Sequence, residues 1–396
     1  MQLLIPVAAG LEAVVKRQLF SLGYPQAPAK NGRLYIEQDC SWQDVARLNV
    51  FLRSGERVLL CLGEAKTETF DELFDFVYSL PWEEWLSADS KILMDGKSYK
   101  SKLGAVKAIG SIAKKAVVKR LIAKACPHKK ALKEDGARTV VGVSLFEDIA
   151  TVTLDTSGEG LHKRGYRTLS YTAPLKETTA AAMLDLSVYH REKPFADLFC
   201  GSGTLPIEAA LKALKIAPGS NRNFDFTAWK CAEKGVLELA REEAADVRDF
   251  SVKPNIYACD INPKSISMAK YHAKAAGVEQ FIRFETKDMR AFSAKEKYGV
   301  IVSNPPYGER LGEEKEVQKL YKDLGMVYRS LPDWSLYALT SYPDFERYFG
   351  KRAEKKRKIY NADLQCNYYT YTGAKPPKNK ETNEVMQHET NNESEL

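Results

Sequence analysis

The sequence lacks three features that would each assign the protein to a particular class. Its seven cysteines are an odd number without close pairs, so neither a disulfide framework nor a Cys-x-x-Cys zinc site is predicted. No run of about 18 apolar residues occurs, and no basic leader with a long apolar core begins the chain. We therefore expect reduced thiols and a soluble, cytoplasmic protein.

Charge of one sign does not dominate the whole chain, but it is concentrated in one segment. The 396 residues carry 59 Lys plus Arg against 52 Asp plus Glu, and 44% are hydrophobic, so disorder is excluded and two or three packed domains are expected. The net charge is +7, whereas 91–130 alone has twelve basic residues and one acid, Asp95, a local balance of +11. Because the helix predicted over 101–125 lacks acidic partners, we interpret this segment as a contact for RNA phosphates, with a solvated helix face as the alternative.

The apolar pattern divides the chain into three structured segments and a polar end. Residues 1–65 alternate strands and helices in β-α-β-α order, and 65–155 add three strands around the basic helix. Residues 165–372 alternate strands and helices as in a doubly wound sheet, with strands predicted over 195–199, 256–259, 282–284, 300–303 and 335–340 and a hairpin over 358–371. This predicts an α/β fold whose parallel sheet ends in an antiparallel hairpin. Residues 373–396 are polar, which predicts a disordered tail.

A loop containing two glycines follows the first strand of the predicted parallel sheet. The stretch DLFCGSGTLP (197–206) leads through Gly201 and Gly203 into an amphipathic helix, whose free N-terminal amides can contact a ligand. Gly-x-Gly alone is weak evidence, because an ordinary strand-to-helix turn has the same pattern. Pro206 stands where a dinucleotide fingerprint has Gly or Ala, and Asp197 is placed for the amino group of a zwitterionic ligand. Both differences argue against NAD.

Acidic residues follow the next two strands. Asp260 can accept two hydrogen bonds from ribose hydroxyls, and Asp288 can accept one from the exocyclic amine of adenine. Met289 and Ile261 are placed to pack on the base. Each acid alone is better explained as a structural residue such as a helix cap, but three acids in order on successive strands favour a nucleoside ligand.

The fourth strand ends in Asn304, Pro305, Pro306 and Tyr307. Two prolines prevent further sheet pairing and favour an extended Asn304, so its side-chain carbonyl and the Pro305 main-chain carbonyl can project together beyond the sheet. These acceptors can hold both hydrogens of an exocyclic amine, and Tyr307 offers a face on which a base can stack. The pattern predicts alkylation of a planar amine, in which alignment supplies much of the rate.

The ordered motifs resemble those of class I S-adenosylmethionine-dependent amino-methyltransferases. The strings LHKRGYR (161–167), APLKETTAAAML (173–184), DLFCGSGTLPIEAA (197–210) and SNPPYGERLG (303–312) are similar, more narrowly, to THUMP-domain RNA guanine-N2 methyltransferases of the bacterial RlmL type, which act on 23S rRNA. This resemblance implies a ferredoxin-like segment (1–44), a THUMP RNA-binding domain (45–160), a Rossmann-like methyltransferase domain (161–372) and the tail (373–396).

The resemblance also implies a cofactor, a target and residue roles. The cofactor would be S-adenosyl-L-methionine, and the target would be the N2 amine of a guanine in structured RNA, flipped out of its helix. The methionine part of the cofactor would lie against Asp197, Phe199, Gly201 and Gly203, its ribose against Asp260, and its adenine against Asp288, Met289 and Ile261. Asn304, Pro305 and Tyr307 would hold the guanine.

Several alternatives stay open at this point. The chain could methylate a tRNA guanine or a protein glutamine amide, or it could be a noncatalytic RNA-binding ribosome-assembly factor. Residues 162–164 and Arg167 could reach RNA or form a solvated linker, and 212–254 is an insertion without an assigned role. Cys200 is interpreted as an apolar filler, and His190 and His272 as core or surface residues, so no metal is predicted.

Overall fold

A computed structural model of the chain describes residues 1–169, 175–308, 314–361 and 364–376, and the strands in these ranges form two seven-stranded sheets. Positions 173–174 and 309–312 of the motifs quoted above lie outside the described residues. So do residues 377–396 of the predicted tail.

The first sheet is mixed and is built from residues 2–155. Its strands are β1 (Gln2–Pro6), β2 (Ala29–Lys30), β3 (Arg33–Ile36), β4 (Leu59–Lys66), β5 (Lys91–Tyr99), β6 (Arg138–Phe146) and β7 (Ile149–Asp155), in the order β2-β3-β1-β4-β7-β6-β5. Its helices are α1 (Glu12–Ser21), α2 (Trp42–Phe51), α3 (Phe70–Ser79), α4 (Trp82–Trp85) and α5 (Val106–Ala125). Since β4 pairs with β1 on one side and with β7 on the other, the predicted segments 1–65 and 65–155 share one continuous sheet.

Local sequence signals account for where two of these helices begin. Ser41 forms a capping box with Asp44 at the start of α2, and Thr69 does so with Glu72 at the start of α3. The basic helix α5 begins at Val106, five residues later than predicted. Five of its apolar residues are buried on the side that packs against the sheet and α3: Ile109, Ala113, Ala116, Val117 and Leu121.

The second sheet has the predicted parallel core and late antiparallel hairpin. Its strands are β8 (Phe195–Asp197), β9 (Ile256–Asp260), β10 (Ile282–Thr286), β11 (Val300–Ser303), β12 (Ser335–Thr340), β13 (Lys355–Asn361) and β14 (Leu364–Tyr371), in the order β10-β9-β8-β11-β12-β14-β13. Its helices are α6 (Glu177–Leu186), α7 (Thr204–Ala213), α8 (Val236–Asp246), α9 (Pro263–Ala275), α10 (Glu314–Arg329) and α11 (Phe345–Phe349). The strand order reverses between β8 and β11, so a ligand crevice is expected at their carboxyl ends.

The insertion at 212–254 packs against the first half of the molecule. The indole of Trp42 stacks on Phe226 with ring centroids 6.0 Å apart, and the guanidinium of Arg47 lies 2.8 Å from the carboxylate of Glu243 in α8. Arg222 donates to main-chain carbonyls in the connection between the two sheets, including Glu159 at 2.6 Å. The insertion therefore joins the two halves of the chain.

Candidate active site

The loop after β8 has a backbone that only glycine adopts readily. Gly201 has φ +49° and Gly203 has φ +88°, and Gly203 is the N-terminal cap of α7. A Cβ on Gly203 would lie 2.9 Å from the Cβ of Ala269 in α9, whereas no described atom lies within 4 Å of the Cβ position of Gly201. Gly203 thus allows α7 and α9 to approach closely, and Gly201 leaves space in front of the loop.

Asp197 connects this loop to the strand that carries the tetrapeptide. It is 1% exposed, and its Oδ1 accepts from the hydroxyl of Ser303 at 2.8 Å and from the amide of Phe199 at 3.2 Å. Ser303, at the end of β11, also accepts from the amide of Leu198 at 3.0 Å. Burial raises the pKa of Asp197 to about 7, although the hydrogen bond from Ser303 opposes this. The carboxyl ends of β8 and β11 are therefore fixed to each other.

Asp260, at the end of β9, lies against the glycine loop. Its Oδ2 accepts from the amide of Gly201 at 3.0 Å, and its Oδ1 accepts from the amide of Asn262 at 2.9 Å. Each carboxylate oxygen has a second lone pair, so both can still accept from a ligand. Ile261 is 69% exposed beside it. An acid and an exposed apolar side chain thus flank the loop.

Asp288 and Met289 follow β10, and Asp288 has a partner in Arg290. Asp288 accepts from the amide of Arg290 at 2.9 Å and from its guanidinium at 2.7 Å, while Met289 is 3% exposed. The same guanidinium donates to Asp323 of α10 at 2.6 Å. Arg290 therefore holds the Asp288 carboxylate in place, a contact that sequence reasoning missed.

The tetrapeptide after β11 is held by tyrosines. The hydroxyl of Tyr307 donates to the side-chain oxygen of Asn304, and the hydroxyl of Tyr321 in α10 donates to the carbonyl of Pro306 at 2.7 Å. Tyr307 is half-buried against the core, and burial raises the pKa of its phenol. Because a carbonyl oxygen accepts two hydrogen bonds, Asn304 keeps one position for a substrate amine.

A buried histidine supports the glycine loop from behind. His272 of α9 has no exposed surface, and its Nδ1 lies 3.0 Å from the carbonyl oxygen of Ser202, so this nitrogen carries the proton. Burial lowers the pKa of His272, which favours the neutral ring. The structure thus shows His272 as a core residue, one of the two roles that its sequence position suggested. Its contact with the loop was not predicted.

Arg164 and Arg167 are occupied inside the protein, so neither of the alternatives open for them, RNA contact or a solvated linker, holds. Arg164 is 4% exposed and lies 3.4 Å from the buried carboxylate of Glu208. Arg167 donates to the hydroxyl of Thr204 at 2.6 Å and lies 3.5 Å from Glu177, whose pKa burial raises to about 6. Since Thr204 is the first residue of α7, Arg167 fixes the end of the glycine loop.

The basic helix α5 is also less free than its sequence indicates. Lys114 pairs with Glu134 at 2.7 Å, and Arg120 pairs with Glu83 at 2.7 Å. The expectation that acidic partners are absent is wrong, because the fold brings acids from other segments to the helix. Lys107, Lys115, Lys119 and Lys124 remain exposed.

The described residues form neither a metal-ligand cluster nor a membrane-spanning helix. Within the described ranges, no group of three or more His, Cys, Asp or Glu side chains lies close enough together to hold a metal ion. Nor is any described helix long and apolar enough to cross a membrane. Cys200 beside the loop is buried, which raises the pKa of its thiol and disfavours a nucleophilic role.

Three family models match the chain in succession. The RlmL ferredoxin-like domain matches 2–59, the THUMP domain matches 67–155, and the RMKL-like methyltransferase domain matches 164–370. The protein named "Putative RNA methyltransferase YpsC" from Bacillus subtilis is 40% identical over 94% of this chain and 96% of its own length. "Ribosomal RNA large subunit methyltransferase K/L" from Syntrophotalea carbinolica is 34% identical over 91% of this chain, which spans 52% of that longer protein.

Two solved structures share the whole architecture. SMU.472, described as "a putative methyltransferase complexed with SAH", has a TM-score of 0.89 and 38% identity, covering 95% of this chain and 99% of the other. A protein from Listeria monocytogenes, described as "a predicted N6-adenine-specific DNA methylase", has a TM-score of 0.88 and 44% identity, covering 94% and 96%. The fold and the order of the domains are therefore shared with these methyltransferase structures.

Proposed function

The chain belongs to the RMKL-like methyltransferase family, and from this premise we propose that it is an S-adenosyl-L-methionine-dependent RNA methyltransferase. We further propose that the acceptor is the N2 amine of a guanine in structured RNA, with 23S rRNA as the target. The observation that carries the proposal is the direct link, through Ser303 and Asp197, between the tetrapeptide and the loop that would hold the cofactor.

The residues around the glycine loop fit this cofactor. Gly201 leaves open space, and Asp260 beside it has free acceptor positions for a ribose diol. Asp197 is a buried carboxylate that an ammonium group can ionise fully, because an adjacent cation lowers a raised carboxyl pKa. When bound, S-adenosyl-L-methionine supplies an electrophilic methyl group, and SAH, present in the SMU.472 structure, is what remains after its transfer.

The tetrapeptide would position the acceptor amine. Asn304 and the Pro305 carbonyl accept the two amine hydrogens, which directs the nitrogen lone pair out of conjugation and toward the methyl group. Tyr307 orients Asn304 through its hydroxyl, and its half-buried ring borders the position of the base. A strong base is not required, because the proton on nitrogen becomes acidic once the new bond has formed. The chain's contribution is therefore mainly alignment.

Nucleoside mass spectrometry of rRNA and tRNA from cells lacking the protein tests the target. Loss of one N2-methylguanosine from 23S rRNA, restored by the wild-type chain, is the expected result. Loss of N2-methylguanosine from tRNA would make tRNA the target. Loss of an N6-methyladenosine would make adenine the methylated base. Labelled methyl found on protein instead of RNA would contradict the RNA assignment.

Substitution of Asn304 tests the assigned geometry in vitro. We expect Asn304→Ala to abolish methyl transfer while calorimetry shows unchanged binding of S-adenosyl-L-methionine. Lys16→Ala, on the exposed face of α1, is the control and should leave both activities intact. If Asn304→Ala transferred methyl groups at the wild-type rate, Asn304 would not hold the acceptor.

A further inference from the structure

The first sheet has an open face that forms a cleft of about 320 Å³ away from the glycine loop. Residues of β3, β5, β6 and β7 line it, and their alternate neighbours are buried under the helices. The guanidinium of Arg33 in β3 donates to the hydroxyl of Ser144 in β6 at 2.5 Å. Four strand spacings separate these strands, about 19 Å in a flat sheet, so the sheet must curl to bring them together.

One edge of this cleft carries an exposed aromatic pair. Tyr99, at the end of β5, is 58% exposed and stacks on Phe146 of β6, with ring centroids 5.5 Å apart and planes at 22°. The ammonium of Lys100 lies 5.4 Å from the Tyr99 ring centroid. An exposed tyrosine stacked on a partly buried ring offers a rigid surface for another flat ring.

Cations on the cleft walls remain available to an anionic ligand. The guanidinium of Arg33 has a neutral hydroxyl as its partner, and Lys97 is 71% exposed although it lies 3.1 Å from Asp95. The acid Glu64 accepts from the hydroxyls of Tyr35 at 2.8 Å and Thr151 at 2.9 Å, and the ammonium of Lys30, 3.8 Å away, offsets its charge. The cleft therefore combines a stacking surface with cations.

We propose that this cleft binds unpaired nucleotides of the RNA substrate. A base stacks on Tyr99, and the neighbouring phosphates contact Arg33 and Lys97. Single strands are recognised by this combination, because every base has a stacking face and every nucleotide has a charge. Inside a paired helix, each base face is covered by the neighbouring base pair and cannot stack on Tyr99. This inference rests on the proposed function, since it takes RNA as the substrate.

Binding of a labelled RNA to the full-length chain tests the proposal. The probes are a fluorescein-labelled 12-nucleotide RNA without self-complementarity and the same strand annealed to its complement. Tyr99→Leu should weaken binding of the single strand roughly 5- to 100-fold, as expected for the loss of one stacked base, while duplex binding is unchanged. Tyr99→Phe should bind as the wild type does. Arg33→Met should lower the slope of log affinity against log salt by about 0.7.

The chain offers a matched control in Phe250, which is 55% exposed and stacks on Phe281 at 22° in the other half of the molecule. Phe250→Leu should leave single-strand affinity unchanged. The proposal is overturned if Tyr99→Leu binds the single strand as the wild type does, or if it weakens single strand and duplex equally. If the protein methylates RNA but binds the single strand independently of Tyr99, only the proposed binding role of the cleft is overturned. If single-strand binding depends on Tyr99 but RNA is not methylated, only the proposed function is overturned.

Discussion

Replacing Asp197 by asparagine should stabilise the cofactor-free protein at alkaline pH and weaken its cofactor binding. Burial raises the pKa of Asp197 from 3.8 to about 7, so the folded state keeps a proton that the unfolded state releases. Stability from this group is present below pH 4 and is lost as the pH rises toward 7. At 1.36 kcal/mol per pH unit between the two pKa values, the free energy of unfolding is lower by roughly 4 kcal/mol above pH 7 than below pH 4.

An asparagine can still accept from Ser303 and the Phe199 amide, but it does not ionise. The free energy of unfolding of Asp197→Asn, relative to wild type, should therefore rise by roughly 2 kcal/mol between pH 5.5 and 8.5. Urea denaturation of both proteins at the two pH values measures this, with Asp246→Asn at an exposed position as the control. A difference that does not change with pH would refute the reasoning. Calorimetry at pH 8 should show the opposite effect on the cofactor, whose affinity falls because the ammonium loses its counter-charge.

Substitutions at three further points test the geometry of the site: the glycine loop, Tyr307 and His272. Gly203→Ala should cost more stability than Gly201→Ala, because both lie at positive φ but only the Cβ at 203 would collide with α9; equal melting temperatures would contradict this. Tyr307→Phe removes the hydroxyl bound to Asn304 and should lower kcat about 5- to 10-fold, with the KM for RNA unchanged; a change confined to KM would argue against an orienting role. His272→Phe removes the bond to the loop and should weaken cofactor binding about 5-fold by calorimetry, whereas unchanged affinity would mean that the ring only fills space.

Sequence reasoning succeeded where chemistry depends on neighbours along the chain. The parallel sheet with its late hairpin follows from apolar strands alternating with helices, and two glycines after β8 predict a sharp turn. The order of acids on successive strands favours one shared ligand site, because carboxyl ends of parallel strands share one edge. The amide of Gly201 donates to Asp260, so this acid lies against the loop. The roles of these residues toward a cofactor stay a proposal.

The partners of charged and polar side chains could not be predicted in the same way. Glu83 and Glu134 are distant in sequence from Arg120 and Lys114, so the basic helix was interpreted as unpaired. For Arg167 the sequence left RNA contact and a solvated linker open, yet the fold places it against α7. A side chain reaches only a few ångströms, and which groups fall within that reach depends on how the elements pack.

The sequence by itself determined the class of fold, the glycine loop and the composition of the tetrapeptide, because these depend on local backbone preferences and on strand order. The tertiary structure decided which charges are free. Arg164 is buried against Glu208, and part of α5 is paired with acids. The first sheet curls so that Arg33 contacts Ser144. Burial and Coulomb interactions depend on distances across the fold, and those distances are set only when the two sheets and their helices pack.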